Sequence, residues 1–130
     1  PVISDDSGLC VKALNNKPGI YSARLAKKHG SFSNAMRFIL KKLETKKNRS
    51  ATFICCLSYK IKNGKIITVI GKIKGKISNK ILGKKGFGYD PIFIPTNKKI
   101  TFGQMSNTKK IKIDHRFIAF QKLKKRVKIL

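Results

Sequence analysis

The chain has 130 residues, of which 41% are hydrophobic, so it is long enough to bury a core as a single domain covering residues 1–130. Its formal net charge of +26 points first to a nucleic-acid partner. No apolar stretch approaches the roughly 20 residues that a membrane helix needs, and no cleavable leader is recognisable. We therefore expect a cytoplasmic protein with no membrane partner.

The positive charge comes from 26 lysines and only five arginines, and the lysines are spread along the whole chain. Arginine is the residue whose planar fork reads phosphates and bases, and scattered lysines are typical of a solvated surface. The 18 isoleucines suggest a general bias toward Lys and Ile as an equally simple explanation. Nucleic acid is thus not the expected partner, although a basic nucleic-acid-binding module stays open as an alternative.

Three cysteines, Cys10, Cys55 and Cys56, are an odd number, and two of them are adjacent in an apolar stretch. Adjacent side chains in a strand point to opposite faces, so neither a disulfide framework nor a zinc site follows. We expect buried, reduced thiols.

The N-terminal stretch predicts a strand that ends in a turn. Residues 1–4 are mostly apolar, residues 5–8 read Asp-Asp-Ser-Gly, and residues 9–14 form a short apolar piece. Because the chain lacks an initiator Met and starts within this element, we expect an upstream segment to be missing.

The next elements are a loop at residues 15–19 and a helix capped by Ser33. Apolar side chains recur at helical spacing and predict the buried face of this helix; they are Met36, Ile39, Leu40 and Leu43. Residues 52–61 and 65–73 are β-rich and flank Asn63-Gly64, the strongest short hairpin motif.

The C-terminal half begins with a basic, glycine-rich loop at residues 75–88 and a short strand at residues 89–95 that prolines confine to an edge. Asp114 is the predicted N-cap of a final helix. Its expected core face consists of Phe117, Phe120, Leu123 and Val127.

Only five acids occur in this basic chain, and four of them lie beside Gly, Ser, Pro or His. In an extended chain Asp5 and Asp6 point to opposite faces, so one can enter a site while the other supports it. Hydrolysis of a phosphoanhydride needs a metal ion and a carboxylate, which this pair could supply. Taken alone, the motif is also typical of a simple turn.

The segment Gly86-Phe87-Gly88-Tyr89-Asp90-Pro91 combines flexible glycines, aromatic rings and an acid. Glycine lets the backbone approach a ligand, and a neighbouring ring could stack on a base. A turn with a core phenylalanine is the alternative. His115-Arg116 likewise reads either as a ligand contact or as a helix start with a partly buried histidine.

In this order and at these spacings, the motifs resemble the inosine triphosphate pyrophosphatase family from residue 4 to about residue 123. The blocks that carry the resemblance are Asp-Asp-Ser-Gly-Leu at 5–9, Pro-Gly-Ile-Tyr-Ser-Ala-Arg at 18–24, Gly-Phe-Gly-Tyr-Asp-Pro-Ile-Phe at 86–93, Thr-Phe-Gly-Gln-Met at 101–105, Lys110 and His115-Arg116.

The resemblance implies Mg²⁺-dependent hydrolysis of ITP, dITP and XTP to the monophosphate and pyrophosphate, which cleanses the nucleotide pool. It makes Asp6 the proton acceptor and a Mg²⁺ ligand, with Asp5 in a supporting position. The implied substrate contacts are Ser7, Phe87, Gly88, Tyr89, Asp90, Lys110, His115 and Arg116. Phe87 would stack on the purine, and Lys110, His115 and Arg116 would select its 6-oxo edge.

The resemblance also implies an α/β fold in which helices flank a long, mixed, twisted sheet, with two lobes around a central cleft, and a homodimer. Gln104 and Asp114 depart from the family pattern, which usually has Glu and Ser there. The family's first strand, its Ser/Thr-x-Asn-x-x-Lys loop and a metal-sharing Glu have no counterpart in these residues. We therefore expect the chain alone to be inactive, as a fragment of such an enzyme.

Overall fold

A computed structural model describes residues 2–129. Its strands, in chain order, are β1 (Val2–Val11), β2 (Lys17–Gly19), β3 (Ser50–Lys60), β4 (Ile66–Ile77) and β5 (Phe93–Pro95). Its α-helices are α1 (Ser22–His29), α2 (Phe32–Leu43), α3 (Asn107–Lys110) and α4 (His115–Ile129). Short 3-10 turns lie at Lys12–Leu14 and Asp90–Ile92.

The five strands form one sheet in the order β2-β1-β3-β4-β5. The α/β class with a long sheet and flanking helices is confirmed. Every strand pairing among the described residues is antiparallel, so the mixed sheet expected from the resemblance is not what this part of the chain forms. From Val2 to Gly8, β1 pairs only with β3 within residues 2–129.

The predicted turn at residues 5–8 was wrong, because β1 runs through it without a break. Asp5 is paired with Leu57 and Asp6 with Cys56 in an unbroken register with β3. The backbone hydrogen bonds of this ladder outweigh the turn preference of Asp, Ser and Gly. Residue 1, which belonged to the predicted strand, lies outside the described residues.

The hairpin at Asn63-Gly64 is confirmed. Lys60 pairs with Ile66 across the turn, and Gly64 has a φ of 84°, the left-handed conformation that glycine adopts without strain.

The expected loop at residues 15–19 is partly wrong, since Lys17–Gly19 forms β2 along the end of β1. The short edge strand near the prolines is confirmed, but β5 covers only Phe93–Pro95 of the predicted residues 89–95, because Asp90–Ile92 forms a 3-10 turn. The predicted glycine-rich loop begins too early, since residues 75–77 continue β4 and pair with β5.

Helix α2 buries the predicted stripe, with Met36, Ile39 and Leu43 in the core and Leu40 partly buried. The predicted cap was wrong by two residues: Ser31, not Ser33, accepts a hydrogen bond from the Asn34 N–H. Helix α1 was not predicted; it has eight residues and turns Ser22, Leu25 and Ala26 toward the interior.

Helix α4 begins where predicted, and the Phe117 N–H donates to Asp114 Oδ1 at 2.8 Å. It packs on β4 at Gly71, where a side-chain Cβ would collide with the backbone of His115 and Ala119. This close approach fixes the start of α4 against the sheet. The expected core face was half wrong, because Phe117 and Phe120 remain 37% and 47% exposed while Ala119 is buried.

The apolar side chains divide into two clusters. The larger cluster joins α1, α2 and the β5 region to one end of the sheet, with Phe53, Phe93 and Phe102 at its centre. The smaller cluster lies between α4 and the middle of β3 and β4. Within residues 2–129, no helix is both long and apolar enough to cross a membrane.

Candidate functional site

A tight loop presents the ring of Phe87 to solvent. Gly86 and Gly88 both have left-handed backbone angles, with φ of 70° and 64°. The Phe87 N–H donates to Asp90 Oδ2 at 3.0 Å, which holds the loop closed. A Cβ at position 86 would collide with the same carboxylate. Phe87 is therefore 54% exposed although its backbone is tightly held.

The Asp90 carboxylate also forms a buried ion pair. Lys110 Nζ lies 2.7 Å from Asp90 Oδ2 and 3.9 Å from Asp114 Oδ2, and all three side chains are almost inaccessible. Burial raises the pKa of the Asp90 carboxyl, while Lys110 and the Phe87 N–H act to lower it. The ammonium also lies 5.1 Å from the centroid of the Phe87 ring.

A second cation approaches the same ring. The guanidinium carbon of Arg116 lies 4.6 Å from the Phe87 ring centroid. Its Nε atom lies 2.8 Å from Asp5 Oδ2 on β1. The contact is an ion pair without a hydrogen bond, because the Nε–H does not point at the carboxylate oxygen. Phe87 is thus flanked by two cations, and each cation is anchored by a carboxylate.

These groups border a cavity of about 640 Å³ between β1, the Phe87 loop and the first turns of α4. We call it the aromatic cavity. Among the residues that line it are Asp5, Phe87, Lys110, Arg116, Phe117 and Phe120. Phe117 and Phe120, expected in the core, instead supply apolar wall here.

Asp6 lies on the other face of the sheet from Asp5, as the alternation of an extended strand requires. It borders a smaller cavity of about 100 Å³ with Gly8, Cys10 and Cys56. Among residues 2–129, Asp6 has no ion-pair partner. The structure therefore brings Asp5, not Asp6, together with Phe87, Lys110 and Arg116.

Several predicted contact residues take other positions. Tyr89 is 3% exposed, and its hydroxyl donates to Ser22 O at 2.6 Å, so it anchors α1 rather than lining the aromatic cavity. Burial raises the pKa of Tyr89 to about 12. Gly88 faces the ring of Phe32. The Ser7 side chain points toward Asp5, and its hydroxyl donates to Asp5 Oδ1 at 3.0 Å.

His115 lies behind the cavity wall. Its ring stacks on Phe53 with a centroid separation of 4.7 Å, it is 5% exposed, and its buried Nδ1 has no hydrogen-bond partner in the described chain. Burial lowers the pKa of His115 to about 4, so the imidazole is neutral near pH 7.

This neutral histidine makes stability depend on pH. Between about pH 6.5 and pH 4 the unfolded chain binds a proton at His115 that the folded chain does not, so stability falls as the pH is lowered through that window. When the pH is lowered from 7 to 4.5, the free energy of unfolding should fall in both proteins. We expect the fall to be about 2 to 3 kcal/mol smaller in His115→Gln than in the wild type. Urea unfolding of both proteins at both pH values measures this difference. Equal losses would contradict the lowered pKa.

Sequence reasoning missed two groups of the site. The Cys55 thiol donates to Asp5 Oδ1 at 3.3 Å, and Asp114 adds charge beside Lys110 as well as capping α4. Alternation along β3 could have placed Cys55 on the same face as Leu57, but its contact with Asp5 depends on the β1–β3 register. All three cysteines are free as expected, but the expected burial is confirmed only for Cys55, because Cys10 and Cys56 are partly exposed.

The fold and the site together define an α/β protein with an antiparallel sheet, backed by α4, that carries a charged aromatic cavity at one edge. Comparison with known proteins narrows this class. The sequence model of the Ham1 family matches residues 1–126, so the chain belongs to the Ham1 family. The resemblance found in the motifs is thereby confirmed.

Two curated relatives share the same name. The chain is 47% identical to the dITP/XTP pyrophosphatase of Borreliella burgdorferi, over 95% of the chain and 64% of the relative. It is 48% identical to the dITP/XTP pyrophosphatase of Saccharolobus solfataricus, over 94% of the chain and 60% of the relative. The chain thus spans less than two thirds of the length of these relatives.

Solved structures agree with the fold. The Ham1 protein of Staphylococcus aureus superposes with a TM-score of 0.91 at 38% identity, over 98% of this chain and 66% of that one. A HAM1 protein from Coxiella burnetii gives a TM-score of 0.89 at 32% identity, over 98% of this chain and 67% of that one.

Proposed function

We propose that this chain acts in the hydrolysis of non-standard purine nucleoside triphosphates, namely ITP, dITP and XTP, to the monophosphate and pyrophosphate. The observation that carries the proposal is the exposed ring of Phe87, flanked by Lys110 and Arg116 at the aromatic cavity. The names of the two dITP/XTP pyrophosphatases support the same reaction.

The cavity suits the base of such a nucleotide. An aromatic face stacks on a purine with a gain of about 1 to 3 kcal/mol per base. Lysine and arginine side chains donate hydrogen bonds and accept none. A purine with an oxygen at position 6 accepts such bonds, whereas the 6-amino group of adenine is itself a donor and does not. This chemistry favours hypoxanthine and xanthine over adenine.

Asp6 suits the phosphate end. Asp6 lies on the face of β1 opposite to the aromatic cavity, where it borders the smaller cavity with Gly8 and Cys56. There the Asp6 carboxylate is exposed and without an ion-pair partner among residues 2–129. It is therefore available to a cation or to a water proton.

Mg²⁺ is the cofactor that we propose for Asp6. The described residues contain no group of three or more His, Cys, Asp or Glu side chains that could hold a metal. Mg²⁺ usually keeps several waters and binds one or two carboxylates together with substrate phosphates, so a single exposed carboxylate fits. When bound, it would neutralise charge on the phosphates and polarise the attacking water.

In the proposed reaction Asp6 accepts the proton of a water that attacks the α-phosphorus, and the bond to the bridging oxygen of pyrophosphate breaks. Phe87, Lys110 and Arg116 hold the base so that the phosphates reach Asp6. A homodimer, a cytoplasmic location and a single-domain organisation remain predictions.

The test is a product assay. We expect a chimera that carries the N-terminal third of the Borreliella relative ahead of residue 1 to release pyrophosphate from ITP with Mg²⁺, and the 130-residue chain alone to be inactive. Hydrolysis of ATP by the chimera should be much slower. Release of single phosphates would overturn the assignment, and tight DNA binding without hydrolysis would favour the nucleic-acid alternative.

A further inference from the structure

The Asp5 carboxylate connects three elements of the fold. Its Oδ1 atom accepts hydrogen bonds from the Ser7 hydroxyl at 3.0 Å and from the Cys55 thiol at 3.3 Å. Its Oδ2 atom lies 2.8 Å from Arg116 Nε at the start of α4. Both oxygens of one side chain are therefore engaged, one with the sheet and the other with the helix.

The sheet holds this carboxylate in one orientation. Ser7 is two residues from Asp5 on the same face of β1, and the register pairs Ser7 with Cys55 on β3. Burial raises the pKa of the Cys55 thiol to about 11, so it remains protonated and able to donate. Two donors thus fix Oδ1 and leave Oδ2 directed at α4.

Arg116 needs such an anchor. Its side chain is 42% exposed, and a long exposed arginine loses rotamer freedom when it is held in one place. It nevertheless lies with its guanidinium carbon 4.6 Å from the Phe87 ring centroid, at the border of the aromatic cavity. Lys110 has its own buried anchor in Asp90, and Asp5 is the corresponding anchor for Arg116.

We propose that Asp5 is a positioning residue that holds the Arg116 guanidinium against Phe87 and thereby sets the base preference of the aromatic cavity. The part concerning the base rests on the proposed function. The adjacent aspartates then divide the work between the two faces of β1: Asp5 orients the donor that reads the base, and Asp6 serves the phosphates.

The positional part is tested without any substrate. A guanidinium held over an aromatic ring places a ring-current shift on the δ-methylene protons of its arginine, and only five arginines contribute such resonances. These protons are the readout, because loss of the carboxylate beside Nε would by itself move the Nε–H resonance. We expect Asp5→Asn to move the Arg116 resonance to the position that it takes in Phe87→Leu. Asp5→Glu should retain most of the shift, because it keeps the charge.

Glu44→Gln is the matched control, since it removes the same charge from an exposed position at the end of α2. We expect its Arg116 resonance to match that of the wild type. An unchanged resonance in Asp5→Asn would overturn the proposal.

The base preference is tested kinetically in the chimera. We expect Asp5→Asn to raise KM for ITP about fivefold with kcat nearly unchanged, and to lower the ratio of kcat/KM for ITP to that for ATP. Asp5→Glu should recover part of this loss, and Glu44→Gln should behave as the wild type. An active wild type with an unchanged KM in Asp5→Asn would overturn this role alone. A wild-type chimera with no pyrophosphatase activity would overturn the proposed function and, with it, the role of Asp5 in base preference. The NMR result would still decide whether Asp5 positions Arg116.

Discussion

Replacing Lys110 with methionine is expected to destabilise the fold by about 3 to 5 kcal/mol at pH 7. The ammonium is 2.7 Å from Asp90 Oδ2 and 3.9 Å from Asp114 Oδ2, with side-chain exposures of 6% or less for all three residues. Methionine fills a similar volume but leaves two carboxylates buried beside each other without a cation. Urea unfolding of the 130-residue chain measures the loss.

The control and the rescue follow from the same geometry. Lys109→Met removes an identical charge from the exposed neighbour and should change stability by less than about 0.5 kcal/mol. Asp90→Asn added to Lys110→Met should restore part of the lost stability, because the amide oxygen still accepts from the Phe87 N–H without a buried charge. Equal effects of the two lysine substitutions would contradict the role assigned to this ion pair.

The local features of the fold could be read from the sequence. Asn63-Gly64 predicted the hairpin, Asp114 predicted the start of α4, and the apolar stripe predicted the buried face of α2. In each case the physical cause lies within a few residues: a left-handed turn, a side chain that accepts a backbone N–H, or a helical repeat. Such causes are visible without knowledge of tertiary contacts.

The errors arose where distant residues decide the structure. Residues 5–8 have the composition of a turn but form the middle of β1, because β3 supplies a partner for the whole strand. Phe117 and Phe120 have helical core spacing but line the aromatic cavity. Ala119 takes the inward position instead, because α4 packs closely against Gly71 of β4. No local sequence pattern reveals this contact.

The structure brings together only part of the set of site residues that the sequence predicted. The motifs identified Phe87, Lys110 and Arg116, which the structure brings together, and alternation correctly separated Asp5 from Asp6. Which aspartate faces the aromatic cavity could not be read from β1 alone, because it depends on the face that α4 covers. The ion pair between Asp5 and Arg116 follows from that choice.

The separation of the two aspartates makes Asp6→Asn the most informative substitution for the reaction. We expect it to lower kcat of the chimera for ITP by at least about 100-fold, because it removes the proposed proton acceptor and weakens the proposed Mg²⁺ ligand while keeping the side-chain shape. Asp6 is exposed and has no ion-pair partner among residues 2–129, so stability should change by less than about 0.5 kcal/mol. Asp6→Asn should therefore lower kcat without the rise in KM expected for Asp5→Asn. Steady-state pyrophosphate release at several Mg²⁺ concentrations, with thermal unfolding as the check on folding, measures both effects. A kcat within a few-fold of the wild type would move the catalytic role away from Asp6.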